Sequence, residues 1–137
     1  MQPEELARGY AIEFWTDGRD TFADEAFAAD APYHDPMLPG LPPGPEGARQ
    51  RKATYETALS GSHVDVHDVI VGEEAVAMRW TYRGRFTGPF MGREPTGQTV
   101  AITGMHVMHV RDGRIAETWV EYDSAGFLRD IGVLPAG

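Results

Sequence analysis

Asp123 follows Trp119 by four residues in the segment Trp119-Val-Glu-Tyr-Asp123. On a strand, where side chains alternate, the two project from the same face. A carboxylate lying against an indole is less well hydrated than one in water, which favours proton exchange near neutrality. The pairing points to acid/base chemistry on an organic molecule in an apolar pocket. The same aspartate is also placed to cap a helix over residues 124–129, and the two roles are compatible.

A histidine would complete the chemistry, and a hairpin decides which one. Arg111-Asp112-Gly113-Arg114 separates two alternating segments and marks a β-turn. A two-residue turn pairs position 111 with 114 and sets His106 opposite Trp119. A three-residue turn with Gly113 left-handed pairs 110 with 114 and brings His109 to the face of Trp119 and Asp123. The tetrapeptide favours the second form, because only glycine takes that conformation cheaply; His106 remains the alternative. His34, in the proline-bounded Tyr33-His34-Asp35-Pro36, is a further candidate at a pocket mouth. His63, Asp65 and His67 share one strand face, but Val64 and Val66 alternate with them as on any half-buried strand, so no metal site is expected there.

Composition narrows the class. The 137 residues suit one domain with a single core. Without cysteine there are no disulfides, thiolate nucleophiles or Cys-ligated zinc, which fits a reducing compartment. The acidic N-terminus carries no secretory pattern, and no apolar run nears the ~18–20 residues of a membrane span. A cytoplasmic protein with no membrane association is the expectation. A net charge of −9 repels phosphate backbones, so nucleic acid is not an expected partner. Nucleotide-cradling glycine patterns and a Gly-x-Ser-x-Gly elbow are absent, and no cofactor is expected.

The elements that must position these residues read in two halves. Periodicity predicts helices over 3–15, from Asp20 through Phe27, and over 45–59. Between the last two lie a short extended piece at 31–36 and a stiff loop, 36–45, with five prolines. Strands follow over 64–71, 75–86, 99–110 and 114–122, then a helical turn over 123–130. Three helices ahead of consecutive antiparallel strands define an α+β fold: a curved antiparallel sheet wrapped around the N-terminal helices as a cone-shaped barrel with an apolar interior.

With these segments in order, the chain resembles the SnoaL-like polyketide cyclase family of the nuclear transport factor two-like superfamily. The resemblance rests on Tyr33-His34-Asp35-Pro36, Val76-Ala-Met-Arg-Trp80, Gly88-Pro-Phe-Met-Gly92, Pro95-Thr-Gly-Gln-Thr-Val100, Asp112-Gly-Arg-Ile115 and Glu117-Thr-Trp-Val-Glu-Tyr-Asp123. It implies a homodimer packed through its sheets, no metal or organic cofactor, and a hydrophobic small-molecule substrate. It further implies Asp123 as the acid/base and His109 as its partner on the preceding strand. Trp119, Trp80, Tyr33, Phe14 and Met105 are expected to wall the pocket, with His34 near the chemistry. The implied reaction is an intramolecular aldol ring closure. An isomerase-type proton shuttle and a non-catalytic ligand-binding domain use the same scaffold and stay as alternatives. Asp130-Ile131-Gly132 replaces the family's Gln-Leu-Gly close, which leaves the substrate open.

Overall fold

A computed structural model describes residues 1–135. Helix α1 (Pro3–Gly9) begins with proline in its first turn, and Glu5 accepts a hydrogen bond from the Gln2 backbone N–H at 3.1 Å. From Tyr10 to Thr16 the coil widens into π-helix, and the Asp17 N–H reaches back to the Ile12 carbonyl at 2.7 Å. Its inner side buries Tyr10, Ala11, Phe14 and Trp15. Helix α2 (Phe22–Ala26), strand β1 (Tyr33–His34) and helix α3 (Pro45–Glu56) follow. The long strands are β2 (Leu59–Val71), β3 (Ala75–Phe86), β4 (Thr99–Arg111) and β5 (Arg114–Tyr122), and α4 (Ser124–Asp130) closes the chain. Sheet order is β1-β5-β4-β3-β2, antiparallel throughout except for the short β1–β5 pairing. This is the α+β architecture expected, a curved sheet packed on N-terminal helices.

Burial along β4 alternates without a break, so Val100, Ile102, His106, Met108 and Val110 point into the core and the odd positions point out. Gly104 belongs to the inner set. A Cβ there would stand 2.5 Å from the Trp80 ring and 2.8 Å from the Tyr122 Cβ, so the missing side chain is what seats the indole.

The hairpin differs from expectation. Arg111 pairs with Arg114 across a two-residue turn, with Asp112 and Gly113 both at positive φ (53° and 74°), the geometry that matches strand twist in tight hairpins. A bulge then intervenes: Val110 faces Ile115 but His109 faces Glu117, leaving Ala116 as the extra residue. Beyond it Val107 lies opposite Trp119 and His106 opposite Val120. The two-residue turn and the bulge together leave His109 on the Trp119 face, as expected, and His106 on the opposite face, which is the buried one.

His63, Asp65 and His67 are tied up on the strand face: Asp65 pairs with Arg83 at 2.7 Å and His67 bonds the Thr81 hydroxyl at 2.7 Å. Among the described residues no cluster of three or more His, Asp or Glu side chains is arranged to hold a metal. No described helix is long and apolar enough to cross a membrane.

Candidate active site

The helices and the inner sheet face line a narrow, partly open slot of about 30 Å³, far smaller than the ~300–1,000 Å³ usual for small-molecule sites, so a guest enters only as the walls move apart. Tyr10, Trp15, Arg51, Trp80, His106 and Tyr122 are among its walls.

Its polar groups form two hydrogen-bond systems. In the first, Asp35 is fully buried and accepts from the Arg51 Nε at 2.7 Å, the Tyr122 hydroxyl at 2.8 Å and the Met37 N–H at 2.8 Å. Because Tyr122 donates its only proton to Asp35, the hydroxyl contact between Tyr55 and Tyr122 has Tyr55 as donor. Arg51 is itself buried, and its guanidinium lies over the Trp15, Tyr33, Tyr55 and Tyr122 rings at 5.2–5.8 Å. Burial raises the pKa of both phenols, Tyr122 strongly, so each stays protonated.

The second system begins at Trp80, whose indole N–H donates to His106 Nδ1 at 2.8 Å. His106 Nε2 bonds the Tyr33 hydroxyl at 2.7 Å, and Tyr33 bonds Tyr10 at 2.6 Å. Burial, helped by the nearby Arg51 charge, holds His106 well below the usual histidine range, so the ring is neutral. The unfolded chain titrates near 6.5, so between that value and the folded one the unfolded state carries the extra proton. The stability that neutral burial permits is therefore complete above about pH 6.5 and declines below it by about 1.4 kcal/mol per pH unit. Chemical denaturation across acid pH is expected to give a steeper loss for the wild type than for His106→Gln; equal slopes would remove His106 as the cause.

Several expected site residues lie elsewhere. Trp119 and Asp123 do share a face, but it is the outer one. Asp123 is exposed and caps α4, its Oδ1 accepting from the Gly126 N–H at 2.9 Å. His109 packs edge-on against Trp119 at 4.7 Å, also outside, and so does not face the slot. His34 stacks on the other side of that indole at 5.2 Å and bonds Glu117 at 2.7 Å. Met105 is 45% exposed on the outer face, and Phe14 is buried in the core beneath Lys52 rather than on the slot wall. The physical reason is one of side: period two correctly groups residues but does not say which group turns inward. Trp80 does line the slot, and Tyr33 stands directly behind it.

Tyr10, Arg51, Tyr55, Tyr82 and Tyr122 were not singled out from the sequence. One signal was present for Arg51: it shares a helix stripe with Ala48 and Tyr55, and a cation at such a position implies a buried partner.

Fold and slot together define an α+β cone protein with a narrow slot between its helices and its curved sheet. The SnoaL-like polyketide cyclase family model matches residues 5–131, and the chain belongs to that family. Similar solved structures include IdmH from Streptomyces antibioticus, described as a candidate polyketide cyclase, at 29% identity and TM-score 0.82 over 96% of this chain and 99% of that one. TsrD from Streptomyces laurentii shares the fold at 21% identity and TM-score 0.83, covering 96% of this chain and 95% of that one. AclR from Streptomyces galilaeus, described as a candidate hydroxylase, shares it at 20% identity and TM-score 0.84, covering 98% and 83%. Comparison with curated proteins gives no match.

Proposed function

We propose that the protein catalyses ring closure of a polyketide-type, enolisable carbonyl substrate held in the slot, with Asp35 as the proton acceptor. The observation that carries this reading is the one-way path Tyr55 to Tyr122 to Asp35, which starts on the slot wall and ends at a carboxylate. A carbon flanked by two carbonyls gives up its proton to the phenol pair while the Tyr122 proton passes to Asp35 Oδ1. The raised phenol pKa values make the transfer concerted, because neither ring oxygen holds a full charge. The resulting enolate carbon attacks a second carbonyl carbon, a C–C bond forms, and the new alkoxide is protonated. The proton stored on Asp35 balances that step, so the product is an isomer of the substrate. Confining both carbons in a narrow slot supplies much of the acceleration, since good intramolecular placement is worth ~7–11 kcal/mol.

Asp123, exposed and serving as a cap, is left with a structural role in this scheme. A homodimer through the outer sheet face also fits, because Met105 and Val107 are 45% and 39% exposed beside Trp119. The assay is incubation with acyclic poly-β-keto methyl esters, with products followed by NMR. Mass-neutral formation of a carbocycle, faster than in buffer, is expected. Binding of those esters without any ring formation would leave only a ligand-binding domain.

A further inference from the structure

The second hydrogen-bond system does something the first cannot, and its direction is fixed. An indole N–H only donates, so His106 Nδ1 must be an acceptor. The neutral ring therefore carries its proton on Nε2 and donates it to the Tyr33 oxygen. Tyr33 in turn donates to Tyr10. Tyr10 is left with a proton that has no acceptor among the described residues, and Tyr10 lines the slot. The chain cannot run backwards, because a proton arriving at His106 would need Nδ1, which faces the indole N–H. His106 is thus no base; it positions a donor.

Two more residues of the slot wall carry donors. The Tyr82 hydroxyl is buried, belongs to a residue of the slot wall and has no partner in bonding geometry among the described residues, although Ser62 lies near enough to influence it. Arg51 gives only its Nε to Asp35, and its Nη groups have no acceptor among the described residues. A buried phenol without a partner is destabilising, and a suitable ligand atom would remove that penalty.

We propose that the slot is a receptor for an anionic oxygen, that of an enolate or phenolate, held by the Tyr10 and Tyr82 hydroxyls and the Arg51 Nη groups, with Trp80, His106 and Tyr33 as positioning residues. The proposal rests on the reading of the slot as the ring-closing site and names the charge state of what binds there. Asp35 holds the Arg51 Nε and stays committed to it, so the cation is shared between carboxylate and ligand. In the ring closure above, the oxygen held here is that of the enolate as the C–H proton departs towards Asp35. The two systems thus take a proton from one end of the substrate and receive charge at the other.

The test is equilibrium binding of 4-nitrophenolate, at a pH where it is ionised, against the neutral isostere 4-nitrotoluene. The phenolate is expected to bind at least about tenfold more tightly, because hydrogen bonds to charged groups are the stronger ones. Tyr10→Phe and Tyr82→Phe should each weaken phenolate binding about tenfold and leave 4-nitrotoluene unchanged. Trp80→Phe frees the chain to reverse and should reduce the preference for the phenolate while the absorption band of the bound probe shifts. Equal affinity for the two probes, or tyrosine variants that weaken both alike, would overturn the proposal. The probe does not react, so a protein that prefers phenolate but closes no ring would refute the catalytic reading alone. Thermal unfolding of each variant separates lost binding from lost fold, and a variant that unfolds is replaced by the other tyrosine.

Discussion

Asp35→Asn is expected to lower the stability of the fold by about 3–5 kcal/mol, the characteristic cost of leaving one member of a buried ion pair unmatched. The Asp35 side chain is 0% and the Arg51 side chain 4% exposed, so water cannot replace the lost charge. The amide keeps the size of the carboxylate, so packing is not the source of the loss. A double variant, Asp35→Asn with Arg51→Met, removes the orphaned cation and should recover part of the stability, because the two sites are directly coupled. Urea denaturation of the wild type, both single variants and the double variant reads the coupling. Additive losses would mean that the pair does not hold the β1 end to α3.

The second large effect concerns activity. Tyr122→Phe removes one oxygen, the link between the slot and Asp35. Turnover is expected to fall by about 10²–10⁴, the usual contribution of a positioned acid/base path, with the loss in kcat rather than KM. The stability cost should be near that of two hydrogen bonds, about 2 kcal/mol, because Tyr55 also loses its acceptor while Asp35 keeps Arg51 and the Met37 N–H. Asp123→Asn is the matched control: asparagine caps a helix as well as aspartate, so both stability and turnover should stay at wild-type level. Steady-state rates on the β-keto ester substrate decide between them. A rate that collapses in Asp123→Asn and survives in Tyr122→Phe would return the chemistry to the outer face.

The amino-acid pattern carried the architecture well, since helices over 3–15 and 45–59 and strands over 75–86 and 114–122 are close to those observed. Long amphipathic segments signal themselves through period. The site was less legible, for reasons particular to it. Which histidine joins the Trp119 face depends on a turn of two residues and one extra residue, Ala116, and which of the two faces is buried is a separate matter that period alone leaves open. Nothing in Ile115-Ala116-Glu117 announces a bulge. Asp35 and Arg51 meet across the proline-rich loop, and each is unremarkable beside its sequence neighbours; only their mutual burial gives them meaning. The aromatic hydroxyls that line the slot come from four separate elements, a convergence that no local window contains.

Gly104 sets a boundary on how this protein can be re-engineered. The Trp80 indole occupies the room its absent side chain provides, so enlarging position 104 would unseat the donor from which the Tyr10 proton takes its direction. Ile102 and Val64 also border the slot and belong to neither hydrogen-bond system. Trimming those two aliphatic walls widens the chamber for bulkier guests while both polar chains keep their wiring.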